Sequence, residues 1–123
     1  MLSLLAVLSS GWAAPTELTI WHSYRGDERT ALEQLLTEYD EAHPEIRVVP
    51  LALPYDSFVT KLESAAPRGN GPDLFISAHE RIGSWVGSGM LAPADPSLAA
   101  AYHPVTVDAL TYEDQMWGVP LAS

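Results

Sequence analysis

From Glu17 to His22 polar and apolar residues alternate before the chain turns apolar at Ile20-Trp21, the pattern of a strand with one covered face. The period then changes to that of a helix. Leu32, Leu35, Leu36 and Tyr39 fall at i, i+3, i+4 and i+7, with Asp27 placed to cap the first turn through its carboxylate and His43-Pro44 to end the last. Ile46 to Leu51 reads as a second strand, so residues 17–53 form a βαβ unit whose crossover is expected to be right-handed. Tyr55, Phe58, Val59 and Leu62 line one face of a second helix over 56–66, which Pro67 stops. Residues 68–72 are a turn, and Leu74-Phe75-Ile76 is apolar on both faces, as a parallel strand covered by helices must be. Ile82, Trp85 and Val86 recur at helical spacing in a third helix from about Glu80 to Ser88, which Gly89 ends as a left-handed cap. Beyond Pro93 the pattern gives short helices at 97–102 and 105–110. A hairpin over 111–121, turning at Glu113-Asp114, then feeds a further strand. The fold class is α/β. Ligands of such open sheets bind at the C-terminal mouth of the parallel strands, where the polar run Ser77 to Arg81 follows the third strand.

Composition narrows the classes. A chain of 123 residues makes one modest domain able to bury roughly two-thirds of its unfolded surface. With 47% hydrophobic and 18% charged residues it is too apolar to stay disordered. Sixteen acids against six bases give a net charge of −10 with no basic cluster, which argues against nucleic acid and anionic membrane surfaces as partners. The apolar run Met1–Trp12 is too short to cross a bilayer and ends in Gly11-Trp12-Ala13, a small-x-small pattern, so residues 1–13 read as a secretory signal cleaved after Ala13. No Lys or Arg precedes that run. Cysteine is absent, which removes disulfides, thiol nucleophiles and lipid-anchor thiols and favours a freely diffusing exported protein in a periplasm.

Enzymatic motifs fail on spacing. His79-Glu80 begins a zinc-helix pattern, but Gly83 stands where the second His belongs. There is no Gly-x-Ser-x-Gly elbow, and Gly69-x-Gly71 precedes a strand, the wrong order for cradling a phosphate. His22, His43, His79 and His103 lie in unrelated elements. No metal, cofactor or catalytic residue is expected. Trp21 and Trp85 sit on apolar faces and read as core, whereas Trp117 beside Gly118 fits either core or an open platform.

The run Gly71-Pro72-Asp73, three apolar residues, Ala78-His79-Glu80-Arg81-Ile82-Gly83 and then Ser88-Gly89-Met90-Leu91-Ala92-Pro93 resembles the first lobe of the periplasmic maltose/maltodextrin-binding proteins. These belong to the family-1 extracellular solute-binding proteins of ABC importers. Leu18-Thr19-Ile20-Trp21 is similar to the family's first strand. Tyr102-His103-Pro104 through Trp117-Gly118-Val119-Pro120-Leu121-Ala122 resembles the stretch leading to its first interlobe crossing. The likeness spans nearly the whole chain after the leader. It implies that residues 14–123 are the N-terminal lobe of a two-lobed, hinge-closing fold (type II), ending near that crossing. It also implies a monomer that takes a carbohydrate and presents it to an inner-membrane ABC permease.

The same resemblance assigns site residues. An acid and an arginine at the positions of Glu80 and Arg81 hold sugar hydroxyls, work that suits a carboxylate and a planar guanidinium because each grips two neighbouring oxygens. From the residues alone, a surface Glu80–Arg81 pair with ordinary first-turn chemistry is the favoured reading, and the resemblance reverses it. Ser77 occupies a position where the maltodextrin binders carry an aromatic stacking residue, which points away from maltose itself. Tyr24, Arg25 and Asp27 follow the first strand, where the family places a charged pair over the ligand, although this loop is longer here. The alternatives left open are a binder of another oligosaccharide or a phosphodiester, a nonfunctional remnant, and an α/β enzyme fragment.

Overall fold

The computed structural model describes residue 11 and residues 13–121. The expected leader falls outside them except for Gly11 and Ala13. β1 (Thr16–His22) is the centre of a three-stranded sheet of order β2-β1-β3. It runs parallel to β2 (Ile46–Ala52) from Thr16↔Ile46 to His22↔Ala52, and to β3 (Leu74–Phe75) at Ile20↔Leu74 and Trp21↔Phe75. In a parallel pair, residues in register share a face, so Trp21, Leu51 and Phe75 face one side and Ile20, Pro50 and Leu74 the other.

The Trp21 face carries the core. α2 (Tyr55–Ala65) buries Phe58 and Leu62, and α3 (Ile82–Gly87) buries Trp85 against them; Trp21, Leu53, Val59, Phe75, Met90 and Leu91 pack around this trio. Phe75 meets Trp85 edge-on, ring centres 5.3 Å apart at 87°, the arrangement the two ring quadrupoles favour.

The other face is thinner. α1 (Gly26–Ala42) follows β1 as expected, and Asp40 Oδ1 accepts from the Val48 N–H at 2.9 Å, tying the helix to β2. Yet none of its residues is fully buried; Leu32 and Leu36 are half-buried, while Leu35 and Tyr39 are 62% and 43% exposed. Tyr39 stacks on His43 instead, the rings 4.1 Å apart. Asp27 does not cap α1. The N-cap residue is Arg25, with no side-chain cap, because Gly26 at φ +52° starts the helix one residue before Asp27 and leaves Asp27 inside the first turn. There its charge still complements the helix dipole.

Two details of the third strand differ from the sequence reading. Leu74 is 52% exposed, because this sheet face is open at its β3 edge. Ile76 lies past the strand's last residue, although its N–H still reaches Trp21 O at 2.9 Å. Tyr55, read as core-facing, opens α2 and is 72% exposed.

The Gly-Pro-Asp run has a structural explanation. After the 3-10 turn Ala66–Arg68 the chain reverses at Gly69 (φ +75°) and passes so close to the start of that turn that a Cβ on Gly71 would lie 2.8 Å from Ala66 Cα. Asp73 then latches β3 to β1: its carboxylate accepts from the Thr19 N–H (2.8 Å) and hydroxyl (3.1 Å), and its own N–H donates to Thr19 O (3.1 Å). The Thr19 bonds, the backbone one first, hold the Asp73 carboxyl below its ordinary range. Gly71→Ala is expected to cost about 1–3 kcal/mol, the usual penalty of overpacking against backbone that cannot yield. Urea denaturation followed by circular dichroism reads it, and an unchanged midpoint would show that the turn relaxes freely.

α3 is preceded by the 3-10 turn His79–Arg81 and ends at Gly89, φ +73°, where Met90 N–H bonds Trp85 O and Gly89 N–H bonds Val86 O, the expected left-handed cap. The 3-10 turn Pro96–Ala101 and α4 (Pro104–Ala109) match the two short helices. β4 (Thr111–Tyr112) and β5 (Gln115–Met116) form the hairpin, with Glu113 and Asp114 at φ 50° and 60° as a type I′ turn requires. Among the described residues no strand follows it. Trp117 N–H instead bonds Leu110 O, closing the segment back on α4's end.

Candidate functional site

Because all three strands of the main sheet run parallel, their C-terminal ends share one edge. The loops after His22, Ala52 and Phe75 therefore meet there, and they carry the residues that the sequence singled out.

The first of these loops starts from a buried histidine. His22 is fully buried, and its Nδ1 accepts from the Tyr24 N–H at 3.2 Å. A ring nitrogen that accepts carries no proton, so the neutral ring bears its hydrogen on Nε2. Nε2 and the neighbouring Ser23 Oγ are buried without a hydrogen-bond partner among the described residues. Burial depresses the His22 pKa below 6.5; Glu33 opposes that shift and Arg29, also on α1, adds to it. The unfolded chain then holds the proton more tightly than the folded one. His22 contributes its full stability above pH 6.5, and the contribution is lost as pH falls from there through the folded pKa. The expected result is a denaturation midpoint that declines as pH falls below 6.5, with a shallower decline in His22→Asn, whose Oδ1 keeps the Tyr24 bond but cannot titrate. Equal slopes in both proteins would exclude His22 as the source.

Tyr24 is half-buried and Arg25 exposed. Together with Gly26, Arg29, Ala52, Leu53 and Pro54 they line an open cavity of about 290 Å³ between the first and second loops. Arg29 is held along α1 by Glu33, Nε to Oε1 2.7 Å. Asp27 stands outside this lining.

Ser77 follows β3 and is exposed, as are Glu80 and Arg81 in the 3-10 turn. Glu80 and Arg81 are not partners, since the ion pairs among the described residues are Arg29–Glu33 and Arg81–Glu63. Arg81 stands one helical turn before Trp85 on the same face, and its NH1 lies 3.7 Å from Oε1 of Glu63 on α2. The same Glu63 oxygen accepts from the Trp85 indole N–H at 2.9 Å. Glu63, Pro67, Arg81, Ser84, Trp85, Ser88 and Met90 line a second cavity of about 300 Å³. The two cavities have no lining residue in common, so the fold gathers the sequence-selected residues along one edge without closing them into a single pocket.

The tryptophans sort clearly. Trp85 is core, 2% exposed, and Trp21 is half-buried against the core cluster. Trp117 is half-buried and spends its indole N–H on Tyr112 O (3.0 Å), bracing the hairpin. Glu63, His22 and Asp73 were given no site role by the sequence, although Asp73 lies in the Gly-Pro-Asp run. Glu63 follows the buried Leu62 on a solvated helix face, and no local signal marks it. Among the described residues no three His, Asp or Glu cluster as a metal site would need. No described helix is long and apolar enough to cross a membrane.

Comparison with known proteins places this geometry. Residues 24–122 match the family model of bacterial extracellular solute-binding proteins. A maltotriose-binding protein of Pyrococcus abyssi is 31% identical over 111 residues, covering 87% of this chain and 24% of its own. The GacH receptor of Streptomyces glaucescens, solved unliganded and with acarbose, superposes with a TM-score of 0.77 at 20% identity over 86% of this chain and 29% of its own. The maltotriose-binding protein of Thermus thermophilus, solved with maltotriose, gives 0.71 at 24% identity over 84% and 28%. The chain thus spans about a quarter of the length of these relatives. Its fold is the N-terminal lobe of the two-lobed type II periplasmic binding proteins. The enzyme-fragment alternative falls, since the matched family consists of binding proteins. By the family match over most of its length, the chain belongs to the bacterial extracellular solute-binding proteins.

Proposed function

We propose that these residues form the first lobe of an extracytoplasmic carbohydrate-binding protein that takes an oligosaccharide at the sheet edge, closes a second lobe over it and delivers it to a membrane permease. The observation carrying this reading is the parallel register that brings Tyr24-Arg25, Leu53-Pro54 and Ser77 to Arg81 to one edge. In this reading Glu80 and Arg81 hold neighbouring sugar hydroxyls, Arg25 and Tyr24 contribute from the cavity beside them, and Asp27 and Ser77 lie at the margin. The names of the relatives, which include binders of maltotriose and acarbose, support a neutral oligosaccharide as the ligand class. The −10 net charge supports a neutral rather than an anionic solute. Export through the segment 1–13, a periplasmic location and a monomeric state belong to the same proposal.

The test is titration calorimetry on a full-length protein, one that carries these residues as the first of two lobes, with maltose, maltotriose, trehalose and mannotriose. One saturable site for at least one of them is expected. Heats of dilution throughout the panel would reject the carbohydrate reading. The 123-residue lobe by itself should give no saturable rise in melting temperature, because one lobe supplies only part of the enclosure that a small ligand needs.

A further inference from the structure

We infer that Glu63 is a positioning residue for Arg81: held from one side by the Trp85 indole, its carboxylate fixes the guanidinium in the groove between α2 and α3 so that the remaining N–H groups face the ligand. This rests on Arg81 binding sugar as proposed above, and it adds a residue that contacts no ligand.

The geometry is specific. Glu63 Oε1 accepts from Trp85 Nε1 at 2.9 Å, and Trp85 is 2% exposed, so one end of the contact is built into the core. The same oxygen lies 3.7 Å from Arg81 NH1. A guanidinium has five N–H donors in one rigid plane. A contact at NH1 therefore restrains that plane while leaving donors on Nε and NH2 free. Without Glu63, Arg81 would sample its rotamers in solvent, since its side chain is 56% exposed, and ligand binding would have to order it. An exposed ion pair adds little to folding stability. The consequence of the contact should therefore appear in affinity and hardly at all in stability.

Glu63→Gln separates these roles, because the amide oxygen still accepts from the Trp85 indole while the charge facing Arg81 is gone. Calorimetry on the full-length protein with maltotriose, or with the tightest sugar of the panel, is expected to show binding weakened about three- to tenfold, the equivalent of ordering one long side chain. The melting temperature should stay within a degree or so of wild type. In the Arg81→Ala background the same change should have no further effect. Ionic strength supplies an independent readout, since a neutral sugar has no charge to screen. Wild-type affinity should fall toward the Glu63→Gln value as salt rises, while the variant's stays flat.

An unchanged or tightened affinity in Glu63→Gln, with Arg81→Ala weakened, overturns the positioning role and leaves the site reading intact. Additive losses in the double variant also overturn it, by showing that Glu63 acts through helix packing. An Arg81→Ala protein that binds as wild type removes Arg81 from the site, and the positioning role falls with it.

Discussion

Trp85→Ala is expected to destabilise this lobe by about 3–5 kcal/mol, the range for truncating a large buried aromatic. Trp85 is 2% exposed and packs among Phe58, Leu62 and the edge-on Phe75 where α2, α3 and the sheet meet. Among the described residues the buried hydrophobics besides Phe58, Leu62 and Trp85 are Ile20, Ile82 and Met116, so little else there can fill the cavity. Domains hold about 5–15 kcal/mol in total, and a loss of this size removes most of what a small one has. Trp85→Phe separates packing from hydrogen bonding. It keeps a ring against Phe75 and releases Glu63 Oε1 to solvent, where the 40% exposed side chain can be hydrated, so the loss should be about 1–2 kcal/mol. Urea unfolding of the variants reads both values. A loss below 1 kcal/mol for Trp85→Ala would mean that the α2–α3 interface is not the core of the lobe.

Arg81→Ala in the full-length protein is expected to weaken oligosaccharide binding by about 1.5–3 kcal/mol, roughly ten- to 150-fold, the range for a hydrogen bond to a charged donor. Folding should be little affected, because the side chain is 56% exposed and its one ion pair is long. Arg81→Lys should recover only part of the loss, since an ammonium lacks the planar fork that grips two oxygens. Calorimetry with a well-folded variant decides the point, and an affinity equal to wild type removes Arg81 from the site.

The sequence reading went furthest where one period served one partner. Leu18 to His22 and Ile46 to Leu51 became paired parallel strands, Phe58 and Leu62 became core, and Gly89 and Glu113-Asp114 took the left-handed conformations expected of a cap and a tight turn. It failed where burial depends on elements remote in sequence. Leu35, Tyr39, Tyr55 and Leu74 all sit at helical or strand positions that read as apolar faces, and each is exposed because nothing in these residues packs over it. The cap was misplaced by two residues, Asp27 for Arg25, since Gly26 can adopt a positive φ and begin the helix early. The candidate site was visible as a polar cluster after a strand, and the choice of Glu80 and Arg81 within it came from resemblance. Their actual neighbours were hidden. The link from Glu63 to Trp85 spans 22 residues and that from Asp73 to Thr19 spans 54, and no local pattern encodes contacts at such separations. The Gly-Pro-Asp run, read as part of a family signature, proved to be a packing and latching device as well.

The most direct test of the account is a crystal structure of the full-length protein grown with maltotriose or the tightest-binding oligosaccharide of the panel. The account predicts a sugar at the C-terminal edge of the sheet, its hydroxyls within about 3 Å of the Arg81 guanidinium and the Glu80 carboxylate, with Glu63 still bonded to Trp85 behind them. A sugar bound away from that edge, with neither Glu80 nor Arg81 touching it, would contradict it.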